Sequence, residues 1–171
     1  IDLPGEAKGI LQPLPWGDHL TANISFGHGV SVTPLQVANA FASIASGGML
    51  HKPYIVKSYR DPETMEWKEV TANTAAKRIL SSEESAQMRL MLSAVTGEGG
   101  TGGNARIEGF PVGGKTGTAQ KVNPNGRGYL KGGYISSFAG FVPSNDPRYV
   151  IYVVVDHPKK NAYYGSQVAA P

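Results

Sequence analysis

Gly113-Gly114-Lys115-Thr116-Gly117-Thr118-Ala119-Gln120 opens the most strand-like part of the chain. Three segments, about 112–122, 134–142 and 149–155, are rich in β-branched and aromatic residues. The last two are separated only by Pro143-Ser144-Asn145-Asp146-Pro147, whose composition suits a tight turn. Strands joined this closely predict an antiparallel meander. Alternation then places Lys115 and Gly117 on one side of the first strand and Thr116 and Thr118 on the other. The lysine offers a point charge, the threonines offer hydroxyls, and the glycine removes a side chain where another element must come close. Backbone N–H groups along an exposed strand edge can pair with an extended peptide or point at a developing oxyanion. The combination suits an anionic, peptide-like ligand. On these residues alone, an ordinary strand with a solvated lysine and a glycine kink accounts for the pattern more simply.

Working outward from this strand, the upstream sequence alternates helix and strand signals. Thr33 is a helix N-cap, Pro34 suits the first helical position, and Gln36 completes a capping box. Leu35, Val37, Ala38, Phe41, Ala42, Ile44 and Ala45 follow at helical spacing until Gly47-Gly48 stops them. A second capping box, Ser81 with Glu84, opens a helix carrying Met88, Leu90, Met91, Leu92 and Val95, ended by glycines at 97, 99, 100, 102 and 103. Between the helices, Met49–Tyr59 and Glu66–Val70 read as two strands around the turn Asp61-Pro62-Glu63-Thr64. Ile1–Trp16, punctuated by Pro4, Pro13 and Pro15, reads as extended and as an unnatural start for a domain. Tyr163–Pro171 is expected to end without a closing element. The fold class is therefore α+β: an antiparallel sheet with helices packed on it.

Composition narrows the function. A chain of 171 residues, 40% of them hydrophobic, is one domain or part of one and can bury a core. The 16 basic residues exceed the 13 acidic ones by too little to argue for nucleic acid. With no cysteine, disulfides, thiolate catalysis and thiolate metal sites drop out, and an oxidising compartment is compatible. No apolar run approaches the ~18 residues of a membrane span. His19, His28, His51 and His157 lie at no metal-ligand spacing and read as structural or surface histidines. Gly27-x-Gly29 and the 97–103 glycines lack the Gly-Lys-Ser/Thr ending of a phosphate loop. They read instead as close backbone packing and a mobile loop beside a cleft. Asp156-His157 has no Gly-x-Ser-x-Gly nucleophile to join.

Several motifs recur in one order: Phe26-Gly27-His28-Gly29, Val32-Thr33-Pro34-Leu35-Gln36, the 97–103 glycines, Gly114–Gln120, Ser137-Phe138-Ala139-Gly140-Phe141-Val142-Pro143, Tyr163-Tyr164-Gly165 and Ala169-Ala170-Pro171. This run resembles the C-terminal part of the transpeptidase domain of class B penicillin-binding proteins, most like the septal, division-type enzymes, over nearly all of residues 1–171. The resemblance implies the fold of the penicillin-recognising serine enzymes. It also implies a parent D,D-transpeptidase that cross-links peptidoglycan through an acyl-serine intermediate and is acylated by β-lactams. Superfamily members pair Lys-Thr-Gly with a Ser-x-x-Lys and a Ser-x-Asn motif. No serine here has Lys three residues on or Asn two residues on. The chain is expected to be a portion lacking those upstream segments and the closing helix, and to be inactive alone.

By the same resemblance, Lys115, Thr116, Gly117 and Thr118 form the catalytic strand, with Thr118 N–H as an oxyanion donor. Thr116, Thr118, Gln120, Tyr134, Tyr163 and Tyr164 contact substrate, the tyrosines as an aromatic wall. Gln120 is neutral where many members carry a basic residue. No metal or cofactor is implied. The implied partners are stem peptides ending in D-Ala-D-Ala, β-lactams and, through the parent, membrane-bound division or elongation proteins. The implied location is the outer side of a bacterial cytoplasmic membrane. A serine β-lactamase or β-lactam sensor domain also carries Lys-Thr-Gly, but the Gly-x-Gly…Thr-Pro-Leu-Gln and Tyr-Tyr-Gly segments favour the synthase. A non-catalytic peptide-binding or assembly fragment is the remaining reading.

Overall fold

The computed structural model describes residues 4–70, 76–159 and 162–171; the first three residues of the predicted extended segment lie outside them. The expected meander forms the centre. Strands β5 (Gly113–Val122), β6 (Tyr129–Val142) and β7 (Tyr149–Asp156) pair antiparallel in the order β5-β6-β7. The register sets Lys115 opposite Ala139, Thr118 opposite Ser136, Gln120 opposite Tyr134 and Phe138 opposite Val153. Strand β6 starts five residues earlier than the sequence suggested. Gly132, at φ 72°, and Gly133 interrupt the apolar pattern without ending the strand.

Both capping boxes are present as read. Helix α2 (Pro34–Ala45) begins with Gln36 N–H donating to Thr33 Oγ1 at 3.2 Å, and Thr33 N–H donates to Gln36 Oε1 at 2.8 Å. Helix α3 (Ser82–Thr96) repeats this with Ser81 and Glu84 at 3.1 and 2.7 Å. These bonds hold the Glu84 carboxyl below its usual range, because it accepts the Ser81 N–H as a carboxylate. Fully buried Ser85 donates to Ile44 O at 2.6 Å and ties α3 to the end of α2. Helix α2 packs on β6 and β7, and α3 packs on β5.

The region between the helices departs from expectation. Only Ser58–Arg60 (β2) and Trp67–Glu69 (β3) form the hairpin, while β1 (Met49–Leu50) pairs instead with β4 (Lys77–Arg78). Pro53, which has no N–H to donate, lies in the intervening stretch that is not strand. The turn itself forms: Asp61 Oδ1 accepts the N–H groups of Glu63 and Thr64 at 2.9 and 3.0 Å. Lys68 pairs with the same carboxylate and is the main reason its pKa falls to about 2.

Besides β4, three elements escaped the sequence reading. Helix α1 (Asp18–Ser25) follows Gly17, which has no side chain to cap it, and buries no residue. A 3-10 turn spans Gly103–Ala105, and the C-terminal segment closes in one helical turn, α4 (Gly165–Val168), rather than ending without an element. The glycine loop after α3 is hydrogen-bonded rather than loose. Gly102 N–H donates to Val95 O at 2.8 Å, Arg106 Nε to Thr96 O at 2.6 Å, and Thr96 Oγ1 to Val112 O at 2.5 Å. A side chain at Gly100 would collide with the Val95 carbonyl, so this loop's glycine serves close packing.

The core is small. Ala105, Phe138, Ala169 and Ala170 cluster with Val112, and Phe141, 1% exposed, is buried in β6. The chain exposes 12084 Å², against about 8,100 Å² expected of a folded monomer of this size. Many large apolar side chains contribute to the exposed surface. Ile151, 54% exposed, and Val153 join Phe138, Gly140 and Ala169–Pro171 around an open apolar cavity of about 230 Å³.

Candidate active site

The Lys-Thr-Gly strand lies at an edge of the three-stranded sheet among the described residues. Alternate backbone groups of an edge strand face away from its neighbour, which leaves them available to an extended ligand. Lys115 is exposed, and its Nζ donates to Thr116 O at 2.9 Å, which lays the cation along the strand. Thr116 Oγ1 lies 3.3 Å from Thr101 Oγ1. This third hydroxyl was missed by sequence reasoning. Thr101 sits in the glycine loop 15 residues upstream, and no spacing rule brings it back to β5.

Thr118 does more than the sequence suggested. Its Oγ1 accepts the Gly165 N–H at 2.9 Å. A hydroxyl has two lone pairs and one proton, so this bond leaves the proton free to donate outward. Gly117 has its own constraint: a Cβ there would stand 2.5 Å from Ser137 Oγ, its cross-strand neighbour. Within this chain, therefore, Ser137 is the group a larger residue at 117 meets first.

The remaining sequence-predicted residues converge on the same region. Gln120 pairs across the strands with Tyr134. The Tyr134 ring stacks on that of Tyr163 at 4.2 Å between centroids and 17° between planes. Tyr163 and Tyr164 follow at 4.4 Å and 31°, with Tyr163 Oη donating to Tyr164 Oη at 3.1 Å. That bond keeps the Tyr163 phenol protonated and raises its pKa above the usual value. Tyr164, 51% exposed, presents the open end of the stack.

Residues 163–165 lie across the Thr118 side of the sheet. Ser136 Oγ donates to Tyr163 O at one end, and Gly165 N–H donates to Thr118 at the other. Asn104 Nδ2 donates to Ser166 O at 2.8 Å and joins the 3-10 turn to α4. A cation and three hydroxyls thus lie along one strand, which leads through Gln120 to the three-ring wall. Such a site can hold an extended peptide by its carboxylate and cover an apolar side chain.

Comparisons with known proteins give the family of the chain. Residues 1–171 match the penicillin binding protein transpeptidase domain family model. The chain is 48% identical to stage V sporulation protein D of Bacillus subtilis, covering all of this chain but 26% of that protein. It is 36% identical to the probable peptidoglycan D,D-transpeptidase PenA of Neisseria meningitidis, covering 98% of this chain and 27% of the relative. Among solved structures, penicillin-binding protein 3 of Mycobacterium tuberculosis in complex with aztreonam superposes at a TM-score of 0.85 and 34% identity. That match covers 92% of this chain and 36% of the other. The transpeptidase domain of Burkholderia pseudomallei penicillin-binding protein 3 gives 0.81 at 36% identity, covering 100% and 48%. The chain thus spans about a quarter of the curated relatives' length. Matched from end to end by the family model and by these relatives, it belongs to the penicillin-binding protein transpeptidase domain family, class B.

Proposed function

We propose that the protein to which this chain belongs is a peptidoglycan D,D-transpeptidase, and that the chain supplies the substrate-holding strand and wall of its active site. The observation that carries this reading is the convergence of Lys115, Thr116 and Thr118 with Thr101, Gln120 and the Tyr134–Tyr163–Tyr164 stack. The nucleophilic serine with its lysine base, and the Ser-x-Asn motif, come from segments outside these residues. The surface excess and the open apolar face at Ile151 and Val153 support this: they are what the rest of a transpeptidase domain, including a closing helix, would cover.

In the reaction, the serine attacks the carbonyl of the penultimate D-Ala of a stem peptide, and its proton passes to the base. The tetrahedral intermediate collapses with release of the terminal D-Ala, and an amine of a neighbouring strand then takes the acyl group. Lys115 supplies the cationic field for the substrate carboxylate and for the proton transfers around the serine. Thr116 and Thr118 bond the carboxylate, and Thr118 N–H is one oxyanion donor. Tyr134, Tyr163 and Tyr164 desolvate the ligand's side chain, with Gln120 at their edge.

β-Lactams enter by the same route. Structural neighbours were solved with aztreonam and ampicillin, which supports the binding of such ligands here. The parent acts on the outer side of a bacterial cytoplasmic membrane, with membrane-bound division or elongation proteins as partners. Identity of 48% to a sporulation protein, against 36% to PenA, favours a second cellular setting, wall synthesis during sporulation. A fluorescent penicillin tests the reading. The full-length protein is expected to give a labelled band on a denaturing gel and the isolated chain none. A stoichiometric label on the isolated chain contradicts the division of labour.

A further inference from the structure

We propose that Ser136 is a positioning residue for the tyrosine wall, and that it sets how tightly the site holds the apolar side chain of its ligand. The inference rests on the reading of the site as a transpeptidase site and adds to it a residue that touches no substrate. Ser136 is 0% exposed and lies opposite Thr118 in the β5–β6 register. Its hydroxyl donates to the main-chain carbonyl of Tyr163, 27 residues away in sequence. Thr118 Oγ1 holds Gly165 N–H, so the two bonds grip the peptide groups on either side of Tyr164.

Fixing both peptide planes fixes the direction in which the Tyr164 side chain leaves the backbone, and the first of them holds one of the two peptide groups that flank Tyr163. Tyr134 stands two residues before Ser136 on the same face of β6, and the Tyr163 ring stacks on it. Gly165 sits tightly against the sheet: a Cβ there would collide with the carbonyls of Gly117 and Ser137. Without the Ser136 hydroxyl, the Tyr163 carbonyl is left beside the ring stack with its donor gone. The segment then shifts to recover a partner. Such a shift moves the wall, while Lys115, Thr116 and Thr118 stay held in the β5–β6 register. Ser136 therefore acts on binding of the side chain and not on the chemical step.

The test uses the full-length protein as wild type, Ser136→Ala and Lys115→Ala. Two ligands are compared: benzylpenicillin, which carries a phenyl side chain, and 6-aminopenicillanic acid, the same nucleus without it. Acylation rates over a range of concentrations separate the half-saturating concentration from the limiting rate. For Ser136→Ala, the half-saturating benzylpenicillin concentration is expected to rise about three- to tenfold, as for one lost hydrogen bond. Its limiting rate, and both constants for 6-aminopenicillanic acid, are expected to stay at wild-type values. Equal losses with both ligands, or no loss with either, overturn the proposal. Should Ser136→Ala unfold below the assay temperature, Ser136→Cys, of similar size and a weaker donor, replaces it with the same two outcomes. Lys115→Ala is expected to lose acylation by both ligands. Wild-type rates in that variant overturn the transpeptidase reading, and this inference with it.

Discussion

Replacing Gly165 by alanine sets local helix preference against packing. Gly165 is the first residue of α4, where alanine is intrinsically better than glycine by up to about 1 kcal/mol. Its φ is not in the left-handed region, so no backbone strain opposes the change. Sterics do. The added Cβ falls between Gly117 O and Ser137 O, both main-chain atoms of the central sheet that cannot turn aside as a side-chain tip could. Relieving the collision means lifting residues 163–165, which stretches the bond from Gly165 N–H to Thr118. Overpacking of this kind costs about 1–3 kcal/mol, and the hydrogen bond a further ~0.5–1.5 kcal/mol. After the full helix preference is offset, the net loss is about 0.5–3.5 kcal/mol. The assay heats the full-length protein through a temperature series and then labels the surviving sites with fluorescent penicillin. Gly165→Ala is expected to lose labelling several degrees below wild type. A midpoint equal to or above wild type refutes the packing argument and leaves only the helix preference.

Gly117→Val is expected to cost about 1–3 kcal/mol through overpacking. Because Ser137 Oγ is the obstacle, adding Ser137→Ala should recover part of the loss in the same heating assay; no recovery means another element is the obstacle. The Asp61 carboxyl titrates at about 2 in the fold, below its usual 3.8. Its contribution to the hairpin is thus fully present above about pH 4 and is lost as pH falls towards 2. Carboxylate NMR should place its midpoint near that value, with a rise towards 3.8 in Lys68→Ala, since Lys68 is the largest cause. The isolated chain should self-associate in light scattering through the apolar face at Ile151 and Val153, and a clean monomer with a sharp melt contradicts that.

What the sequence made legible was local or periodic. Both capping boxes join residues three apart, so Thr33 with Gln36 and Ser81 with Glu84 announce their helices without tertiary help. The three-strand meander follows from alternation and one short turn. Helix α1 lacked any such signal, because Gly17 offers no cap and no residue of the helix is fully buried. The pairing of Met49–Leu50 with Lys77–Arg78 joins residues nearly thirty positions apart, in two strands too short to show a period. In the proposed site, Lys115, Thr116, Gly117 and Thr118 are legible as a motif, and Gln120, Tyr134, Tyr163 and Tyr164 enter by resemblance. Thr101 and Ser136 were not. Each takes its place through one hydroxyl bond between segments 15 and 27 residues apart, a contact that only the packed chain specifies.

The most direct measurement is the second-order acylation of full-length Lys115→Ala by one fluorescent penicillin, beside wild type and Thr116→Ser, with folding checked by melting. Thr116→Ser keeps the hydroxyl and loses a methyl, so it should stay near the wild-type rate. Lys115→Ala removes the cation of the substrate-holding strand, and a loss of about 10²-fold or more is expected, the scale of a lost electrostatic contact to the transition state. Acylation of the lysine variant at the wild-type rate would contradict the account at its centre.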